Sequence, residues 1–219
     1  MKNGMSEVEK VRQIIHHYEV STPTAQVAEL GSSHREILSA IVDHYKDSAD
    51  KRFFESLASL VANEFFGEHY SRGWITKHSG DMGVDFIGRL EIKNQHAPAP
   101  PGTVLGGTRI LVFGQAKCRT NYETAAAAED AKEIARVAAR LQRGYLGVFV
   151  TTGTYKQSKQ KEVAVDGYPI VLINGRQLAD LLIQYIHRTG KNMKTILSDC
   201  DQWYLDNQRD SPPENFLKD

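Results

Sequence analysis

Three polar residues stand at the ends of two neighbouring stretches of alternating sequence. Asp85 lies at the start of the stretch 84–92, and Gln115 and Lys117 lie at the end of the stretch 109–117. Side chains two residues apart in a strand point to the same face, so Gln115 and Lys117 share one. Strands joined by a single loop most simply pair antiparallel, which sets the start of the first beside the end of the second. We therefore expect a carboxylate, an amide oxygen and an ammonium group together at one end of a sheet.

This trio suits metal-assisted hydrolysis of a phosphodiester bond. Mg²⁺ prefers oxygen ligands, typically one or two carboxylates with carbonyls, waters and phosphate. We expect Asp85, the side-chain oxygen of Gln115 and the backbone carbonyl of Ala116 to bind Mg²⁺. The ion would lower the pKa of a water molecule and neutralise charge on the phosphate. Lys117 would orient or activate that water and stabilise the transition state.

Helices and strands alternate in the part of the chain that carries these residues. Apolar periodicity predicts helices over 51–66, 122–143 and 176–188, and strands over 74–78, 84–92, 109–117, 145–151 and 169–173. The order strand, helix, strand across 109–151 implies a right-handed crossover between parallel strands. The fold class expected is α/β, with a central mixed β-sheet flanked by helices.

Three regions are expected along the chain. Residues 1–50 form a helical N-terminal segment of unknown role, with apolar residues at helical spacing around Val8–Ile15 and Ile37–Tyr45. Residues 51–197 form the core that carries the catalytic residues. Residues 198–219 are polar, contain Pro212-Pro213 and are expected to form a peripheral C-terminal tail.

The motif Gly80-Asp81-Met82-Gly83-Val84-Asp85, followed by Gln115-Ala116-Lys117, resembles the Mrr-type branch of the PD-(D/E)xK nucleases. That branch has Gln in place of the acidic residue of the second motif. The segments 147–153 and 170–182 are similar to its later elements, so the resemblance covers about residues 51–186. It implies a restriction endonuclease-like core with Asp85, Gln115 and Lys117 as catalytic residues.

The same resemblance implies a further glutamate from the helix before the first strand, and two residues compete for that place. Glu55 follows Phe54, as in the family's Phe-Glu context. Glu64 instead falls within the apolar stripe of the helix, next to Leu57 and Val61, where a carboxylate needs a partner or a metal. The resemblance favours Glu55, and Glu64 remains its rival.

The function implied is a Mg²⁺-dependent endonuclease of restriction type that hydrolyses duplex DNA, with methylated duplexes among its candidate substrates. Cutting both strands needs two active sites, so a homodimer or larger assembly is expected, and a partner subunit is a further candidate. The alternatives are a DNA-binding or partner-supporting module that does not cut, and a nuclease for repair or junction resolution. Fold resemblance alone does not separate them.

Four basic residues are candidates for contact with DNA phosphates. Arg119 lies just past Lys117, and Lys156, Lys159 and Lys161 follow the strand 145–151. Phosphate contacts position DNA without reading its sequence. For the three lysines, a solvated loop is an equally good interpretation.

Composition sets outer limits on these interpretations. The chain has 219 residues, 27 basic and 27 acidic, so a DNA partner requires a local basic surface rather than an overall positive charge. Two cysteines are too few for a disulfide framework or a zinc site. No apolar run is long enough for a membrane span or a secretion signal, so we expect a cytoplasmic protein without membrane contact.

Overall fold

A computed structural model of the chain describes residues 20–47, 50–77, 84–92, 108–125, 145–210 and 215–216. Its centre is a six-stranded mixed sheet with the strand order β5-β4-β3-β2-β1-β6. The strands are β1 (Tyr70–Thr76), β2 (Phe86–Ile92), β3 (Thr108–Lys117), β4 (Tyr145–Thr151), β5 (Ile170–Ile173) and β6 (Gln208–Arg209).

The pairing of the strands confirms the expected arrangement at the centre of the sheet. β2 pairs antiparallel with β3, with Phe86 opposite Gly114, and β3 pairs parallel with β4. β4 pairs parallel with β5, and β1 pairs antiparallel with β2. β1 begins four residues before the predicted Trp74, because a register shift between Arg72 and Ile75 interrupts the alternation that marks a strand in sequence.

Five α-helices surround this sheet in the described residues. They are α1 (Ser33–His44), α2 (Phe54–Phe66), α3 (Gln157–Asp166), α4 (Gly175–Thr189) and α5 (Met193–Asp206). A short 3₁₀ turn, Asp50–Phe53, leads into α2. α4 starts with a capping box, in which the Asn174 side chain accepts from the Gln177 N–H and the Gln177 side chain accepts from the Asn174 N–H.

The two faces of the sheet carry separate apolar clusters. On one face, residues of α1, α2, α4 and α5 pack with Phe86, Val112, Val148 and Val150. On the other face, Phe149, Tyr155, Val163 and Ile170 form one cluster, and Trp74, Val84, Ile87, Leu111 and Phe113 form a second, against which Phe216 packs. The mixed sheet flanked by helices is the predicted α/β fold.

The C-terminal region differs from the expected polar tail. Residues 193–206 form α5, which buries Ile196, Leu197, Cys200 and Tyr204 in the main core. β6 then extends the sheet by pairing with the end of β1, Ile75 opposite Gln208. The prediction of a peripheral tail from residue 198 was wrong, because apolar residues at helical spacing lie between the acidic residues of this stretch.

The described part of the N-terminal segment packs on the core. Residues Ile37, Leu38 and Ile41 of α1 belong to the same apolar cluster as α4. In the segment before α1, the Gln26 side chain accepts from the Tyr155 N–H at 2.7 Å and donates to the Tyr155 carbonyl at 3.0 Å. The segment is thereby bonded to the loop that follows β4.

Several predictions fall on residues outside the described ranges. They are the first helix around Val8–Ile15, the Gly80–Gly83 turn, the loop 93–107, most of the helix 122–143 and the crossover that it would make. No helix in the described residues combines the length and apolarity that crossing a bilayer requires.

Gly175 is the position where the fold tolerates a side chain least. A Cβ there would lie 2.1 Å from the carbonyl oxygen of Thr152. We expect Gly175→Ala to lower the free energy of unfolding by about 1–3 kcal/mol, because the start of α4 must move away from the end of β4. Chemical denaturation of this variant beside Gln184→Ala, an exposed position of the same helix, measures the effect. An unfolding free energy for Gly175→Ala equal to that of Gln184→Ala would contradict the close approach.

Candidate active site

Asp85 lies at the point where β2 meets its neighbours irregularly. Its N–H donates to the Gly114 carbonyl at 2.8 Å, although Gly114 is paired with Phe86, and its carbonyl accepts from the Thr76 N–H at 3.1 Å. The Thr76 hydroxyl also donates to the Val84 carbonyl. The backbone of Asp85 is thus bonded to β1 on one side and to β3 on the other.

The Asp85 carboxylate contacts the end of β3 directly. Its Oδ2 accepts from the Ala116 N–H at 2.7 Å, and Ala116 is the residue between Gln115 and Lys117. The N–H and C=O of one strand residue point toward the same neighbouring strand. The Ala116 carbonyl is therefore directed to the side of β3 on which Asp85 lies.

Gln115 and Lys117 keep the alternation that the sequence predicts. They pair with Phe149 and Thr151 of β4, two residues apart, so both side chains point to one face of β3. Gln115 is 4% exposed and Lys117 is partly exposed. The end of β3 thus carries the buried amide of Gln115, followed by the ammonium group of Lys117, which reaches solvent.

The backbone just past Lys117 is fixed by two threonines at the end of β4. The Lys117 carbonyl accepts from the Thr152 N–H at 3.2 Å and from the Thr151 hydroxyl at 3.0 Å. The Thr152 hydroxyl accepts from the Arg119 N–H at 2.6 Å and donates to the Arg119 carbonyl at 2.9 Å. Cys118 lies between Lys117 and Arg119 in the chain. Burial raises the pKa of its thiol to about 11, so the thiol stays protonated at neutral pH.

The two rival glutamates of α2 lie in different surroundings. Glu64 forms an ion pair with Arg188 of α4, with its Oε1 2.6 Å from the Arg188 Nη2. Glu55, nine residues earlier and therefore about 13 Å away along the helix axis, lines a cavity beside Thr76 and Tyr204. The structure therefore supplies Glu64 with the partner that a carboxylate in an apolar stripe needs. It places Glu55 in a cavity with Thr76, whose N–H donates to the Asp85 carbonyl.

Tyr204 and Glu55 line the same cavity. Burial raises the pKa of the Tyr204 hydroxyl, and the charges of Glu55 and Asp85 raise it further, whereas Arg52 lowers it. Both carboxylates are thus close enough to act on one phenol group. The first turn of α2, the start of β2 and the last turn of α5 meet at this point.

The cavity contains residues that the sequence analysis missed. Its volume is about 210 Å³, and it is lined by Arg52, Phe53, Glu55, Thr76, Lys77, Tyr204, Leu205 and Gln208. Two of them could have been found from the sequence: Arg52 precedes Glu55 by about one helical turn, and Lys77 lies near the end of the predicted strand 74–78. Tyr204 could not be found in this way, because the overall polarity of residues 198–219 predicts a peripheral tail rather than a helix.

The candidate residues carry oxygen atoms of the type that a hard divalent cation binds. Carboxylates of Asp85 and Glu55, the Gln115 amide and the Ala116 carbonyl are the ligand types that Mg²⁺ takes. Among the described residues there is no group of three or more His, Cys, Asp and Glu that could hold a metal ion. A metal at this place would accordingly depend on neutral oxygen ligands beside its two carboxylates.

The candidate phosphate-binding residues are spread over two places. Arg119 is held next to the end of β4, two residues from Lys117. Lys156 and Lys161 are exposed at the start and on the surface of α3. Lys159 is paired with Glu162, which neutralises its charge locally. Of the four, Arg119 lies nearest in the chain to the candidate centre.

Known proteins share this architecture. A solved structure of MspJI restriction endonuclease in complex with a 27-mer oligonucleotide is 33% identical to the chain, with a TM-score of 0.77 over 91% of it. The DNA modification-dependent restriction endonuclease AspBHI is 22% identical, with a TM-score of 0.65 over 84% of the chain, and shares the fold. The chain spans 42% of the first structure and 43% of the second. No curated protein sequence matches the chain.

A family model decides the assignment. The model of the Mrr catalytic domain, described as a restriction endonuclease, matches residues 47–182. The match includes Glu55, Asp85, Gln115 and Lys117. The chain belongs to the Mrr-type restriction endonuclease family.

Proposed function

We propose that this chain is the cleavage module of a restriction-type endonuclease that hydrolyses duplex DNA with the help of Mg²⁺. The observation that carries the proposal is the 2.7 Å hydrogen bond from the Ala116 N–H to the Asp85 carboxylate, which brings the two sequence motifs together. The oligonucleotide bound to MspJI supports DNA as the substrate.

Each proposed catalytic residue has a separate task. Asp85, Glu55, the Gln115 amide and the Ala116 carbonyl would hold the metal ion. When bound, the ion would lower the pKa of a water molecule and offset charge on the phosphate. Lys117 would orient the attacking water and stabilise the negative charge that develops on the phosphate oxygens.

The backbone contacts keep these groups in place before substrate arrives. Asp85 is bonded to β1 and β3, and Lys117 is bonded through its carbonyl to β4. Groups held in this way need little reorganisation during the reaction, which is the condition under which fixed charges accelerate it most. One chain supplies one such centre, so we propose that a homodimer cuts both strands.

Removing the charge of Asp85 tests the centre without removing its hydrogen bond. Asp85→Asn keeps an oxygen acceptor for the Ala116 N–H but loses the anionic ligand. We expect cleavage of plasmid DNA to fall by at least ~100-fold in this variant and in Lys117→Ala. Methylated and unmethylated plasmid, run side by side with wild-type protein, measure the rate. Wild-type rates in either variant would exclude this centre, and DNA binding without any cleavage by wild-type protein would favour a non-cleaving module.

The two glutamates of α2 are expected to respond differently. Glu55→Gln should lower the cleavage rate about as much as Asp85→Asn, because both remove a carboxylate from the same centre. Glu64→Gln should leave cleavage unchanged and lower stability by at most about 1 kcal/mol, since its partner Arg188 is exposed. Plasmid cleavage and chemical denaturation of both variants make the comparison. A loss of cleavage in Glu64→Gln alone would reverse the assignment.

Removal of divalent metal should stop cleavage while the fold remains. None of the interactions described for the core requires a metal ion. We expect chelation by EDTA to abolish cleavage, added Mg²⁺ to restore it, and circular dichroism to show no change between the two states. Cleavage that persists in EDTA would contradict a metal-dependent mechanism.

A further inference from the structure

The cavity beside the candidate centre lies between three elements that are far apart in the chain. Arg52 comes from the turn before α2, Lys77 follows β1, and Tyr204 comes from the last turn of α5. Its volume of about 210 Å³ is several times the ~30 Å³ share of one water molecule in the liquid. A phosphate group with part of its hydration shell has room there.

The charges at the cavity are suited to an anion. The Arg52 and Lys77 side chains are exposed, and neither forms an ion pair with a carboxylate in the described part of the chain. Among the described residues, Glu55 is the single carboxylate in the lining. When Glu55 and Asp85 share a divalent cation, their charge is offset and the two basic residues dominate the cavity.

Tyr204 adds a neutral hydrogen-bond donor to these cations. Its side chain is 8% exposed, and its ring packs against Phe53 with 4.5 Å between the ring centroids. A tyrosine hydroxyl carries a proton at neutral pH, so it can donate a hydrogen bond to an anionic oxygen. The ring is held by packing, and the hydroxyl is therefore presented in a fixed position.

We infer that this cavity binds a backbone phosphate of the cleaved DNA strand next to the bond that is cut, through Arg52, Lys77 and the Tyr204 hydroxyl. The inference rests on the proposed nuclease function. If Glu55 and Asp85 hold the metal ion at the bond that is cut, a phosphate in the adjoining cavity belongs to the same DNA strand. Arg52 and Lys77 lie on separate elements, and α5 lines the cavity between them with Tyr204 and Leu205. This C-terminal helix is therefore part of the proposed substrate site.

Binding of DNA in the absence of cleavage tests the inference. We would measure fluorescence anisotropy of a labelled duplex oligonucleotide with Ca²⁺ in place of Mg²⁺, over a series of salt concentrations, so that a cation with the same preference for oxygen ligands offsets the charge of Glu55 and Asp85. Arg52→Gln and Lys77→Gln should each weaken binding about tenfold at low salt. Each should also reduce the slope of log K against log salt concentration by about 0.9, because one phosphate contact is lost.

Two further variants separate a phosphate site from general effects. Lys194→Gln removes an exposed positive charge from α5 about 15 Å from Tyr204 along the helix, and it should bind DNA as the wild type does. Tyr204→Phe keeps the ring against Phe53, so it should weaken binding while the salt slope stays unchanged. Thermal unfolding checks that each variant is folded.

The outcomes distinguish this site from the proposed function. Wild-type affinity and salt slope in both Arg52→Gln and Lys77→Gln would overturn the phosphate site, and so would equal losses in Lys194→Gln. If the wild type cleaves DNA under Mg²⁺ and these variants bind normally, the phosphate site fails and the nuclease assignment stands. If wild-type protein binds with the expected dependence on Arg52 and Lys77 but never cleaves, the catalytic proposal fails and the phosphate site stands.

Discussion

The contact between the Asp85 carboxylate and the Ala116 N–H is the constraint on which the candidate site depends. It exists because β2 begins irregularly, with the Asp85 N–H bonded to the carbonyl of the residue that faces Phe86. Gly114 permits the close packing there, since a Cβ at this position would lie 2.1 Å from the Phe86 ring. A regular strand would give the carboxylate no such bond to the backbone of the second motif.

The same region shows how the fold and the site are coupled. α5 packs against α2 in the main core and ends with Tyr204 next to Glu55. β6 then pairs with the end of β1, and the Lys77 N–H donates to the Arg209 carbonyl at 3.3 Å. The C-terminal segment thereby fixes one wall of the cavity, so a change in the packing of α5 would reach the candidate centre without touching Asp85 or Lys117.

The sequence predicted that the Asp85 segment meets the Gln115–Lys117 segment, but it did not predict what surrounds them, for physical reasons. Alternation and one connecting loop predicted that Asp85 would meet Gln115 and Lys117, because register and strand direction follow from those features. The sequence left Glu55 and Glu64 as alternatives, since the ion-pair partner of Glu64 is 124 residues away in the chain. Tyr204 was missed because the overall polarity of residues 198–219 outweighed the helical spacing of Ile196, Cys200 and Tyr204.

The position of a bound metal ion would show whether Asp85 and the end of β3 form one metal site. A crystal structure grown with Mn²⁺ in place of Mg²⁺ would locate the ion by its anomalous scattering. We predict one peak within coordination distance of both the Asp85 carboxylate and the Ala116 carbonyl. A peak bound elsewhere, or full Mn²⁺ occupancy that leaves Asp85 uncoordinated, would contradict it.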